Sequence, residues 1–310
     1  MSTFTPISYT SSDGLALYAR DYSSSNGASS TGASSTGAPF NGAADGVPAR
    51  LPVICIHGLT RNSADFDELA PELAAMGRRV IALDVRGRGH SAHDPNPANY
   101  NPVVYAGDVI KLMDDLGLAR AVFVGTSMGG LITMTLAARR LDLIGAAILN
   151  DVGPVLSVRG LQRIAGYAGR CNAVASWSEA AGYLRDINAC AFPANSDAEW
   201  DKWARRAFEQ KDDGSLALRY DPNIATAIQT GKLRPTSLAA RMAFRRLARR
   251  RPTLLVRGAL SDLVEPSQAA WMRKAAPELQ YAEVPGIGHA PMLTEPAALD
   301  AIRQFLARVP

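Results

Sequence analysis

Short unbroken apolar runs recur along the chain and alternate with longer stretches in which apolar residues fall three and four positions apart. The runs at 53–56, 80–83, 121–124, 144–149 and 254–256 each hold three to six residues, the pattern of strands buried on both faces, and 281–284 reads as a further strand. Between them, 64–76, 103–116, 131–140, 267–275 and 296–307 carry the helical spacing, and Gly77 and Gly117 supply stop signals after the first two. Ahead of this series, 4–10 and 15–22 flank the turn Ser12-Asp13-Gly14 and read as a hairpin. Strand and helix therefore alternate as βαβ units, which predicts a mostly parallel eight-stranded sheet with helices on both faces.

Two stretches break the pattern. Residues 23–49 are almost entirely Ser, Thr, Asn, Gly, Ala and Pro, and Gly-Ala-Ser-Ser-Thr occurs twice in tandem at 27–31 and 32–36. So little apolar surface predicts a flexible loop insertion, spanning about 30 Å on average. Residues 153–245 read as mainly helical, which predicts a helical cap inserted after the sixth strand. The expected division is thus a core of 1–152 plus 246–310, interrupted by a cap of 153–245.

Composition narrows the function classes. The chain has 310 residues and a formal charge of +4, too small an excess to argue for nucleic acid or an anionic membrane. No run reaches the ~18 apolar residues of a membrane span, and the amino terminus lacks a secretory pattern. Its three cysteines form no disulfide framework. The expectation is a cytoplasmic protein, monomeric or homodimeric, acting on a small molecule. The arginines between 241 and 251 read as the solvated face of a helix whose apolar stripe is Leu238, Met242 and Leu247.

Chemistry gathers at expected strand ends. Gly125-Thr126-Ser127-Met128-Gly129 follows a strand and opens a helix, so the sharp turn forces Ser127 into a strained backbone and exposes its hydroxyl. A serine nucleophile needs a base. Among His57, His90, His93 and His289, only His289 lies after Ser127, in a loop that follows the last strand. His57 reads instead as a brace for its own loop. Two aspartates could orient the imidazole: Asp262, after 254–256, is the first choice, and Asp151, after 144–149, is the alternative. Backbone N–H groups of Met128 and Leu59 are the expected oxyanion donors, Gly58 letting the loop turn back toward the site. Arg61 and Trp177 are candidate substrate contacts.

Together with His57-Gly58, the Asp84-to-Ser91 run and Gly288-His289, this set resembles the α/β-hydrolase superfamily. The resemblance implies that fold, with a serine hydrolase that uses neither cofactor nor metal and a cap that selects the substrate. Asn150-to-Pro154 and Leu218-to-Pro222 resemble bacterial esterases and 3-oxoadipate enol-lactonase-like members. Hydrolysis of a small carboxylic ester or lactone is therefore the expected activity. Carbon–carbon bond hydrolysis of a ring-cleavage diketone, acyl transfer or perhydrolysis, and a ligand receptor on the same fold stand as alternatives.

Overall fold

The computed structural model describes residues 4–23, 50–171, 173–230 and 235–310. The expected loop insertion lies outside the described residues from position 24 onward. In chain order the strands are β1 (Thr5–Thr10), β2 (Ala16–Tyr22), β3 (Val53–Ile56), β4 (Val80–Asp84), β5 (Ala121–Thr126), β6 (Ile144–Asn150), β7 (Phe208–Gln210), β8 (Leu216–Leu218), β9 (Thr253–Gly258) and β10 (Gln280–Val284). The helices are α1 (Leu69–Ala75), α2 (Pro102–Asp115), α3 (Met128–Arg139), α4 (Val158–Tyr167), α5 (Trp177–Asn188), α6 (Asp197–Ala207), α7 (Thr226–Gln229), α8 (Leu238–Arg250), α9 (Pro266–Ala275) and α10 (Pro296–Leu306).

Eight strands form one sheet in the order β1-β2-β4-β3-β5-β6-β9-β10. β1 and β2 pair antiparallel, β2 joins β4 antiparallel, and every other pairing is parallel. The parallel interior strands are mainly apolar because both faces are covered. In β5, Phe123 points into the core beneath α2, α3 and α8, whereas Val122 and Val124 point into the core shared with α1 and α10. Period-two alternation thus feeds two separate layers from one strand. Arg78, fully buried, ties the last helix down by donating to the carbonyls of Leu306, Val309, Pro310 and Leu51. A guanidinium suits that place, since helix carboxyl ends leave carbonyls unpaired and carry partial negative charge.

Helices α4 to α7 and a small β7–β8 hairpin stand between β6 and β9. The hairpin departs from the helical expectation, its three-residue strands being too short to leave a period. This insert has its own apolar cluster, in which Trp203 meets Trp200 and Phe192 edge-to-face at 5.1 and 4.7 Å. The expected boundary at 245 falls inside α8, which packs against α3 with the sheet's helices. The buried face of α8 is Ala243, Phe244, Leu247 and Ala248, while Leu238 and Met242 are exposed, so only Leu247 of the expected stripe is in the core. Phe244 lies beside Trp271 of α9, their ring centres 6.1 Å apart.

Candidate active site

β5 runs straight into α3, and the single residue between them is Ser127, at φ 50° and ψ −110°. A non-glycine residue in that region is strained and persists only where its surroundings hold it. Here the Ser127 N–H donates to the Asn150 carbonyl at 2.9 Å, and the Ser127 carbonyl accepts from the N–H groups of Gly130 and Leu131. The flanking glycines are a steric requirement. A Cβ on Gly125 would stand 2.5 Å from the Gly129 carbonyl carbon, and one on Gly129 only 2.1 Å from the Ile56 carbonyl oxygen.

Ser127 Oγ lies 2.9 Å from His289 Nε2, and His289 Nδ1 lies 2.8 Å from Asp151 Oδ2. A carboxylate only accepts, so the proton is on Nδ1 and Nε2 is the acceptor facing the hydroxyl. Asp151 is completely buried at φ 53°, and its own N–H donates to the Val256 carbonyl. Its oxygens also accept from the Gly258 N–H at 3.1 Å and the Ser261 hydroxyl at 2.6 Å. Those donors, supplied by β9 and its following loop, offset the cost of burying the charge. Asn150, one residue earlier, donates through Nδ2 to Thr126 Oγ1 and to the Pro291 carbonyl, joining the Ser127 turn to the His289 loop.

The family model for the alpha/beta hydrolase fold matches residues 52–296. The chain belongs to the α/β-hydrolase family. It is 35% identical over 259 residues to the 3-hydroxybutyrate-oligomer hydrolase of Cupriavidus necator, a match covering 82% of this chain and 87% of that protein. It is 28% identical to the 2-(acetamidomethylene)succinate hydrolase of Mesorhizobium japonicum, over 82% and 87% of the two chains. Among solved structures, an alpha/beta hydrolase from Novosphingobium aromaticivorans superposes with a TM-score of 0.85 at 36% identity, covering both chains in full. The protein is accordingly an enzyme, a hydrolase.

Within this hydrolase the carboxylate beside His289 is Asp151, and the expectation of Asp262 there requires correction. Asp262 is taken by Arg163 of α4, whose Nε and Nη2 donate to it at 2.6 and 2.9 Å. Burial opposes ionisation of Asp262, but the Arg163 hydrogen bonds and charge outweigh it and hold the carboxyl below its usual range. Its pairing fastens the insert to the loop after β9. Trp177 is also misplaced in the sequence reading. It is absent from the walls of the cleft at Ser127 and packs instead under Arg205, whose guanidinium carbon lies 4.4 Å from the indole centroid. Arg61 does line that cleft, beside Gly58 and Leu59.

Met128 is the first residue of α3, and helix starts leave backbone N–H groups unpaired. Leu59 and Met128 border one hollow at Ser127. Behind both stands Arg88, fully buried, which the sequence reading leaves without a role. Its Nε donates to the Leu59 carbonyl at 3.0 Å, Nη2 lies 3.4 Å from Met128 Sδ, and Nη1 donates to the Arg86 carbonyl and the Tyr105 hydroxyl. No signal in the Asp84-to-Ser91 run shows that one of its two arginines turns toward the Leu59 loop. The other, Arg86, makes ion pairs with Asp13, Asp94 and Asp108. His57 is buried, donates through Nδ1 to the Gly58 carbonyl and accepts at Nε2 from the Val85 N–H. Burial lowers its pKa to about 3, which suits a neutral brace.

Two hollows open on Ser127. The larger, about 1040 Å³ with its open mouth, includes His289 and is walled by Arg61, Asn188, Trp203 and Arg206 among others. The smaller, about 640 Å³, includes Met128 and is walled mainly by aliphatic side chains such as Leu131, Val152, Leu156 and Ile228. Among the described residues no helix is long and apolar enough to cross a membrane, and no three metal-ligating side chains gather in one place.

Proposed function

We propose that this hydrolase cleaves a small carboxylic ester or lactone through an acyl-enzyme, with Ser127 as nucleophile, His289 as base and Asp151 as the acid that orients it. The observation that carries the reading is the continuous chain from Ser127 Oγ through His289 to Asp151, at 2.9 and 2.8 Å. Ser127 Oγ attacks the carbonyl carbon while its proton passes to His289 Nε2. Asp151 stabilises the imidazolium without taking its proton. The carbonyl oxygen, now negative, is met by the N–H groups of Met128 and Leu59, the former at the positive end of α3. His289 then gives the proton to the departing alkoxide. Water attacks the acyl-enzyme with His289 again as base, and the acid is released.

Arg88 acts in this scheme as a positioning residue. It holds the Leu59 carbonyl from behind, which turns the peptides of that loop, and it sets a buried positive charge near the place where oxyanion charge develops. The insert serves as a cap that shapes the two hollows. An ester linkage is also in keeping with the relative named for 3-hydroxybutyrate oligomers, since hydroxy acids join to one another through esters. The test is hydrolysis of short p-nitrophenyl esters by the wild type and by Ser127→Ala. The variant is expected to lose at least ~10³-fold in kcat. Full activity without the hydroxyl contradicts the acyl-enzyme.

A further inference from the structure

The two hollows differ in chemistry, and His289 belongs to only one of them. In ester cleavage the imidazolium must hand its proton to the leaving oxygen, so the leaving alcohol occupies the hollow that contains His289. The acyl chain, bonded to Ser127, then extends on the Met128 side into the smaller hollow. No charged side chain lines that side among the described residues, and Arg88 behind it already donates to the carbonyls of Leu59 and Arg86 and to the Tyr105 hydroxyl. The phenol groups on its wall are engaged, Tyr105 with Arg88 and Tyr100 with Asp221 and the Asp94 N–H, and the remaining walls are aliphatic.

The His289 side carries cations. Arg61 donates through Nε to both oxygens of Asp65, at 3.0 and 2.8 Å, which leaves its Nη edge without a carboxylate among the described residues. Nη2 lies 3.0 Å from the thioether of Met292, and the guanidinium lies 4.9 Å from the centre of the Trp203 ring. Arg206, on the same wall, shares Glu68 with Lys202. Counting Arg61, Asp65, Arg206, Lys202 and Glu68, one positive charge is in excess. The base of the Arg61 side chain also stands near that of Ser127. A Cβ placed on Gly58 would lie 3.6 Å from Arg61 Cγ and 3.8 Å from Ser127 Cβ, so the two side chains flank one glycine.

We infer that the substrate is an ester of an apolar acyl group with a short hydroxy acid, whose free carboxylate meets Arg61 on the leaving-group side. Water and this ester give a carboxylic acid and a hydroxycarboxylate. The inference rests on the proposed serine mechanism and adds the placement of charge within the substrate. An arginine fits the task because its planar edge can donate twice to one carboxylate.

Three probe esters separate the cases: the butyryl ester of 3-hydroxypropanoate, with charge on the leaving side; propyl butyrate, neutral; and monopropyl succinate, with charge on the acyl side. The wild type is expected to favour the first over the second at least tenfold in kcat/KM, and to disfavour the third against the second at least tenfold. Arg61→Ala is expected to reduce the first-to-second ratio at least tenfold, through KM, and Arg61→Lys to restore part of it. Leu156→Trp, on the other side, should shorten the longest acyl chain accepted. A wild-type ratio at or below one overturns the inference, as does an unchanged ratio in Arg61→Ala. The wild-type ratio needs no variant, so it decides the matter even where a substitution prevents folding. Failure of the wild type to hydrolyse any of the three overturns the serine-ester reading as well, whereas hydrolysis without charge preference overturns only the placement of charge.

Discussion

Neighbouring strands β6 and β9 each end in a loop that carries an aspartate, and the two side chains meet opposite fates. Asp151 is fully buried, accepts from Gly258, Ser261 and His289, and stands at a strained φ of 53°. Asp262 is partly exposed and closed in an ion pair with Arg163 of the insert. Both follow a strand, both are followed by apolar residues, and both could have faced the imidazole. What separates them is who supplies their hydrogen bonds. Asp151 is served by the backbone and hydroxyl of the β9 loop, so it is anchored within the sheet. Asp262 is served by a side chain from the insert, so it links two parts of the molecule. A strand-end carboxylate is assigned by its partners, not by its position along the chain.

The largest effect that could break this comparison is in the rate. Asp151→Asn should lower kcat by about 10³- to 10⁴-fold with little change in KM, because an amide can present its N–H to Nδ1 and favour the wrong tautomer. Steady-state kinetics on a p-nitrophenyl ester checks it. Next comes acid stability, through His57. Its pKa falls from 6.5 to about 3 on folding, so the unfolded chain binds the additional proton between those values. The neutral brace therefore contributes fully above pH 6.5, and its contribution shrinks as pH falls toward 3, by up to about 1.4 kcal/mol per pH unit. Urea unfolding at pH 7 and pH 4.5 should show that loss in the wild type and a shallower one in His57→Gln.

Smaller effects sharpen the contrast between the aspartates. Ser261→Ala removes one charge-assisted hydrogen bond from Asp151 and should lower kcat about tenfold, the equivalent of about 1.4 kcal/mol. Asp262→Asn should keep kcat within about threefold and lower stability by about 1 kcal/mol, about 2 °C in Tm, as expected for an ion pair near the surface. The Asp262 carboxyl titrates below its usual range, so its stabilising pair is present above the ordinary carboxylate pKa and disappears as pH falls through the lowered value. Thermal unfolding below pH 4 should accordingly converge for wild type and Asp262→Asn.

The legible parts of the molecule were those whose signal is local. The sheet announced itself because β3 to β6 and β9 are each built around a short apolar run, and the Ser127 turn because close packing admits only glycine at 125 and 129. His289 followed from chain order. The choice between Asp151 and Asp262 depended on Arg163, 99 positions away from Asp262, and on a backbone angle that a sequence does not display. Arg88 was hidden for the same reason, since its target, the Leu59 carbonyl, lies 29 positions earlier on a different loop. Trp177 misled because an aromatic in an insert serves that insert's own packing as readily as a substrate. Leu238 and Met242 misled because their helical spacing is real while the surface they face is open.

The central claim is that Asp151, rather than Asp262, holds the imidazole of His289. Proton NMR of the ¹⁵N-labelled His289 ring tests it most directly, comparing wild type with Asp151→Asn and Asp262→Asn. The account predicts a hydrogen-bonded Nδ1 proton in the wild type and in Asp262→Asn, and its loss in Asp151→Asn. Retention of that resonance in Asp151→Asn together with its loss in Asp262→Asn would contradict the account.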